Sequence, residues 1–293
     1  DSVQFEAYHA LSCLINGIAK NRIRAGLAGA VELVVAACAL RTQQQSLDLD
    51  DDEVERLLER ACIALYVLTR DNAENTSRAA NAGGVQAMVA ILHMQARRDE
   101  GMHEEACKAF CVLAQDGAEN LTRAVSADAV QAVVAAMSGH PEAEELQAHA
   151  CCALQHLVKG SVEGQSIAPQ TVIKAVLASM RGHSHSRGVQ RQACLALFIL
   201  TLKNEENAAF AGEEGAVELV LTAALHAGSK EMDMQEDVCE MFAALRILIG
   251  SEVNRTRAER ADAIAIVVKV MRGGERNDFL LEMGCGVIST LTD

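Results

Sequence analysis

The chain has 293 residues, of which 50% are hydrophobic, 23% charged and only 3% aromatic, with two prolines and no tryptophan. That apolar share excludes a disordered chain, and two prolines among 20 glycines exclude collagen-like or proline-rich segments. The shortage of aromatics beside abundant Ala, Leu, Glu and Gln favours helix over a β-sandwich or barrel, and a net charge of −14 disfavours nucleic acid and anionic membranes as partners.

In chain order, residues 1–20 read as one helix carrying Ala7-Tyr8-x-Ala10-Leu11-x-x-Leu14. The same apolar block returns as Ala61-Cys62-x-Ala64-Leu65-x-x-Leu68, Ala106-Cys107-x-Ala109-Phe110-x-x-Leu113 and Ala150-Cys151-x-Ala153-Leu154-x-x-Leu157. It recurs again as Ala193-Cys194-x-Ala196-Leu197-x-x-Leu200, Val238-Cys239-x-Met241-Phe242-x-x-Leu245 and Gly284-Cys285-x-Val287-Ile288-x-x-Leu291. Steps between copies are 54, 45, 44, 43, 45 and 46 residues. Within each copy the apolar residues fall at i, i+3, i+4 and i+7, one face of a helix.

Two further series run in phase. A small residue and an aliphatic open another apolar helix at Ala30-Val31, Gly84-Val85, Ala129-Val130, Thr171-Val172, Ala216-Val217 and Ala263-Ile264. A polar series comprises Asn21, Asn75, Asn120, Gln165, Asn207 and Asn254, followed three residues on by Arg24, Arg78, Arg123 and Arg257, with Ala168 and Phe210 breaking the pattern. Each unit therefore reads as a short polar helix, a sharp turn, an apolar second helix and a longer third helix. The units run over about 21–71, 72–116, 117–160, 161–203, 204–250 and 251–293, after a partial unit at 1–20. None can bury its apolar face alone, so the expectation is one continuous 1–293 stack without an internal domain boundary.

Asn75-x-x-Arg78, Gly83-Gly84-Val85-Gln86-Ala87-Met88-Val89, the Ala106 to Leu113 block and their copies resemble the armadillo repeat family over nearly the whole chain. The resemblance implies an all-α fold, a right-handed armadillo-like α-solenoid of about six repeats plus a partial N-terminal one. HEAT repeats, with two helices and a similar period, are the neighbouring reading. Residues 165–200 depart most, with Pro169-Gln170 where the turn glycine is expected. Both ends look like third helices without polar caps, so further chain or a partner is expected there.

In this family the third helices line a concave groove. In its nuclear import adaptors each presents a Trp and, four residues on, an Asn. The equivalent positions here are His9, Ile63, Lys108, Cys152, Leu195, Glu240 and Gly286, then Cys13, Val67, Val112, His156, Ile199, Ala244 and Thr290. Neither row holds Trp or Asn, which removes the cation–π shelf and the amide clamp, so the resemblance is of a non-importin type. One turn earlier stand Glu59, Glu104, Glu236 and Glu282, with Ala148 and Arg191 between. They form either an acidic rim or carboxylates that favour helix starts.

The expected function is a non-catalytic scaffold or adaptor that binds a protein or peptide along this groove, suited to an amphipathic helix with basic flanks. The alternative is a regulatory or targeting region of a larger cytoskeletal, ciliary or membrane-tethering assembly. No G-x-S-x-G, P-loop, G-x-G-x-x-G or H-E-x-x-H occurs, so no catalytic residue, cofactor or metal is assigned. Apolar runs such as 193–202 are about half the ~20 residues needed to cross a bilayer, so no membrane insertion is expected.

The ten cysteines lie in apolar helical text and read as small buried hydrophobes in a reducing compartment, the cytoplasm. Cys107 with Cys111, and Cys151 with Cys152, read as packing in preference to metal ligands. The sequons at Asn75, Asn120 and Asn254 share one repeat position, so the repeat accounts for them. Arg24, Arg78, Arg123 and Arg257 read as structural ion pairs or as a ridge for an acidic ligand, and His183-Ser184-His185 as a solvated loop. Leu47 to Glu55 is an acidic stretch leading into a helix, or a docking site for a basic segment; it lacks the glycine and spacing of an EF-hand loop.

Overall fold

A computed structural model describes residues 2–43, 51–94, 100–115, 128–160, 169–228, 235–273 and 277–292. Among the described residues every regular element is an α-helix, and no single helix is long and apolar enough to cross a membrane. The chain divides into two compact units, residues 1–166 and 167–293.

The first unit contains α1 (Ser2–Ile15), α2 (Ala19–Leu27), α3 (Ala30–Gln43), α4 (Asp51–Thr69), α5 (Ala73–Asn81), α6 (Gly84–Leu92), α7 (Gly101–Gln115), α8 (Asp128–Gly139) and α9 (Glu144–Gly160). Helices α1, α4, α7 and α9 pack side by side as one layer, and α3, α6 and α8 as a second. The second unit contains α10 (Pro169–Gly182), α11 (Arg187–Thr201), α12 (Glu205–Glu213), α13 (Ala216–Gly228), α14 (Gln235–Leu248), α15 (Glu252–Arg260), α16 (Ala263–Gly273) and α17 (Asp278–Thr292). Its layers are α11, α14 and α17 against α10, α13 and α16. The expected three-helix repeat is complete in α2–α4, α5–α7, α12–α14 and α15–α17, which separates it from a two-helix HEAT pattern. The first helices expected after residues 117 and 161 fall outside the described residues.

The repeated apolar positions make the core. Ala61, Cys62, Ala64, Leu65 and Leu68 are buried, as are Ala106, Cys107, Ala109, Phe110 and Leu113. Alternating small and large side chains lets neighbouring third helices approach closely. The sharp turn into α3, α6, α13 and α16 uses left-handed backbone: Gly29, Gly83 and Gly215 have φ of 84°, 88° and 88°, and Asp262 takes the same place at 54°. A second left-handed series (Gly17, Asp71 and Lys203) follows the third helices α1, α4 and α11. Where the glycine turn is missing, Pro169 opens α10, a position whose N–H would have no partner within the helix.

The asparagine series has a structural purpose. Nδ2 of Asn21, Asn75, Asn207 and Asn254 donates to the carbonyls of Leu14, Leu68, Leu200 and Leu248 at 2.7–2.9 Å, satisfying the last turn of the preceding third helix. Asn75 also donates to Arg22 O at 3.2 Å, and Asn254 to Ala208 O at 2.7 Å, each in the previous repeat. Glycine makes the room: a Cβ on Gly26 would lie 1.9 Å from Asn75 Oδ1, and one on Gly212 would lie 1.7 Å from Asn254 Oδ1. Asn75 and Asn254 are 2% and 0% exposed, so these two sequons offer no amide for glycosylation; Asn120 lies outside the described residues.

A recurrent clamp holds the turn before the third helix. Gln147 donates to Met137 O and His140 O at 2.8 and 2.9 Å, and Gln190 repeats this with Met180 O and His183 O, both at 2.9 Å. His103 occupies the same repeat position, with Nε2 3.0 Å from Met94 O and Nδ1 3.1 Å from His140 Nε2. A carbonyl only accepts, so the His103 proton sits on Nε2 and His140 donates to Nδ1.

Candidate functional site

The candidate site is the face presented by the third helices. In the first unit, His9 and Cys13 on α1 are exposed, with the Cys13 sulfur 3.9 Å from His9 Nε2. Ile63 on α4, Lys108 and Val112 on α7 and His156 on α9 are half-buried, whereas Val67 and Cys152 are only 6% and 9% exposed. In the second unit Leu195, Ile199 and Glu240 are half-buried, as are Gly286 and Thr290. Ala244 is fully buried and offers no side-chain surface.

The carboxylates one turn earlier divide into two kinds. Glu59 and Glu104 line a cavity of about 400 Å³ with Phe5, Arg56, Arg60, Glu100 and Gly101. The Arg56 and Arg60 guanidiniums lie 5.4 and 5.3 Å from the Phe5 ring centre, so this part of the rim carries both signs of charge. Burial, and then the neighbouring Glu105, raise the Glu104 carboxyl above its ordinary range. Glu236 and Glu282, on α14 and α17, are exposed.

Several charged members of the face already have partners in the chain. Lys108 Nζ is 3.3 Å from Glu105 and 5.0 Å from the centre of the Tyr66 ring, which Arg70 also approaches at 5.4 Å. Arg191 holds Glu240 by two contacts of 2.8 and 3.0 Å and reaches the buried Asp237 at 3.4 Å, while Arg187 lies 2.6 Å from Asp237. Glu240 therefore ties α14 to α11. In the arginine series, Arg78 bridges to Glu32 of the previous repeat at 3.1 Å and to Glu74 at 3.4 Å. Arg24 is exposed, Arg257 is half-buried, and Arg123 lies outside the described residues.

The cysteines correct the sequence reading. Six behave as expected: Cys38, Cys62, Cys107, Cys151, Cys194 and Cys239 are buried, whereas Cys13 and Cys285, on the two outermost third helices, are exposed. Burial, then Cys151 and Glu104, push the Cys107 thiol up to about 12, and Cys38 with burial holds Cys62 well above the thiol range. These groups stay protonated at neutral pH. Cys111 and Cys152 differ: they are bonded to each other, with Cα atoms 6.0 Å apart, and join α7 to α9. His156 completes a cluster whose ligating atoms all lie within 4.8 Å of one another. Burial, and then the Lys159 charge, lower the His156 proton affinity. Spacing along single helices pairs Cys111 with Cys107, and Cys152 with Cys151, as packing residues. The true partners sit 41 residues apart, on neighbouring helices.

The other sequence features are placed as follows. His183 is half-buried beneath the Gln190 clamp, and the exposed His185 ring lies 5.3 Å from that of His226. Residues 51–55 open α4, and 47–50 lie outside the described residues.

No protein-family model and no curated protein sequence matches the chain. Solved structures do match. An engineered protein aligns with 90% of this chain and 96% of its own, at 17% identity and a TM-score of 0.67. A designed armadillo repeat protein covers 83% of this chain and 92% of its own, at 19% identity and a TM-score of 0.62. Another, in complex with the peptide (KR)4, covers 82% of this chain and 92% of its own, at 20% identity and a TM-score of 0.59. The fold is an armadillo-like repeat.

Proposed function

We propose that the chain is a non-catalytic scaffold that binds a protein or peptide segment across the faces of its third helices. The observation that carries this reading is the row of part-exposed apolar side chains on those helices, Ile63 and Val112 in the first unit and Leu195 and Ile199 in the second, with carboxylates one turn earlier. An amphipathic helix with basic flanks fits that combination within either unit: its apolar side anchors on the row, and its flanks meet Glu59 and Glu104 in the first unit or Glu236 and Glu282 in the second. The net charge of −14 favours the same partner. A designed armadillo neighbour was solved with (KR)4, which supports peptide binding in this fold. A non-importin mode is supported because the Tyr66 and Phe5 rings are already faced by the chain's own Lys108, Arg70, Arg56 and Arg60. The six buried thiols fit a cytoplasmic setting.

The test is capture from a reducing lysate by the wild-type chain and by a Lys108→Ala, Leu195→Asp, Ile199→Asp variant of unchanged circular dichroism. Loss of the same captured protein supports the third-helix face; undiminished capture removes it. A second reading, a regulatory region of a larger assembly, is favoured by exposed Leu14, Ile23, Leu27, Leu33 and Leu40 on α1–α3. A Leu27→Lys, Leu33→Lys variant with reduced apolar-dye binding supports it, and unchanged dye binding counts against it.

A further inference from the structure

We propose that Cys111, Cys152 and His156 form a redox-gated zinc site joining α7 to α9. Oxidised, the two cysteines close as a disulfide; reduced, their sulfurs and the His156 imidazole hold Zn²⁺ between the same two helices.

The geometry is compact enough for this. The three ligating atoms lie within 4.8 Å of one another. In a tetrahedral site with Zn–S of about 2.3 Å and Zn–N of about 2.0 Å, ligand atoms stand roughly 3.4–3.8 Å apart. The Cα atoms of the two cysteines, 6.0 Å apart, place both sulfurs within reach without displacing either helix. Cys152 and His156 are four residues apart on α9 and share a face, and Cys111 arrives from α7, packed alongside. Two thiolates and a neutral imidazole select zinc over hard cations, and the fourth position is left to water.

The repeat does not explain these residues. At the register of Cys111 the neighbouring repeats carry Tyr66, Gln155 and Phe198. At that of Cys152 they carry Ile63, Lys108 and Leu195, and at that of His156 they carry Val67, Val112 and Ile199. The chain's recurrent core cysteines sit elsewhere, at Cys62, Cys107, Cys151, Cys194 and Cys239. Elsewhere only the partial N-terminal repeat places soft donors at these registers, His9 and Cys13 on α1, and Ser12 stands there at the register of Cys111; the three donors converge between α7 and α9.

The chemistry balances. A dithiol reductant supplies two electrons and two protons to the Cys111–Cys152 bond and leaves as its own disulfide. Zinc then takes both sulfurs as thiolates, releasing the two thiol protons.

The experiment uses the full chain, reduced anaerobically with a phosphine, which takes oxygen from water and leaves as its oxide. Cobalt(II) is the probe. The expected result is about one cobalt per chain, bound with release of about two protons and showing a thiolate-to-cobalt charge-transfer band, which zinc then removes by displacing cobalt without further proton release. Cys111→Ser and Cys152→Ser abolish the band, His156→Ala weakens binding by more than about 100-fold, and Cys107→Ala leaves the band in place. Absence of the band in the reduced wild type overturns the proposal, as does a band that persists when both Cys111 and Cys152 are replaced. The gate needs no substitution to test: cobalt bands of equal strength in the oxidised and reduced wild type overturn it.

Discussion

At the scale of single residues, buried polar side chains set the junctions between repeats. Asn254 donates two hydrogen bonds from full burial, so Asn254→Ala is expected to cost about 1–3 kcal/mol in urea unfolding. Gly212→Ala forces a methyl against the Asn254 amide and is expected to cost about 1–3 kcal/mol by overpacking. The double variant is expected to lose less than the sum, by at least about 0.5 kcal/mol, because removing the amide vacates the space. Additive losses would show that the glycine serves another purpose. His103 gives a pH dependence. Burial first, and then His140, lower its proton affinity below the ordinary value of 6.5. The unfolded chain therefore takes up the proton first in acid. The stabilisation is complete above about pH 6.5 and declines as pH falls from there towards the lower folded value. His103→Gln puts into this repeat the residue that does the same work at positions 147 and 190. It is expected to flatten the fall in melting temperature between about pH 7 and 5; an unchanged slope would assign the effect to other groups.

At the scale of helices and their pairings, the sequence shows period and face clearly and partners poorly. The alternation of small and large residues in the Ala61 to Leu68 block specified a buried helix face, and the left-handed turns at Gly29, Gly83 and Gly215 were legible as breaks before an apolar run. Cross-helix chemistry was not legible. Glu240 read as a groove residue because only its register is visible in sequence; its bond to Arg191 depends on two helices meeting, 49 residues apart along the chain. The Cys111–Cys152 bond was missed for the same reason. That bond closes a loop of 41 residues, and its reduction without metal is expected to destabilise the first unit by roughly 2–4 kcal/mol in chemical unfolding. If reduction leaves the midpoint unchanged, the helices α7 and α9 hold together without it.

At the scale of the whole molecule, the charge of −14 makes partner choice sensitive to salt. Binding of a basic-flanked segment is expected to weaken steadily as ionic strength rises past about 0.15 M, where screening acts over about 8 Å, while an apolar-anchored interaction persists. Titration of a captured partner by calorimetry at several salt concentrations separates the two contributions, and salt-independent affinity would remove the acidic rim from the account. Two interlocks carry a consequence for how such a chain can grow. Gly26 faces Asn75 and Gly212 faces Asn254, each pair lying across a repeat boundary. A unit copied from its first helix to its third carries one half of each lock and arrives beside a stranger's half. A copy framed instead from within α12, after Asn207, to within α15, after Asn254, carries Gly212 and Asn254 together. The portable brick, for duplication in evolution or for grafting at the bench, is therefore offset from the visible repeat, with its seams running through the helices and not through the turns.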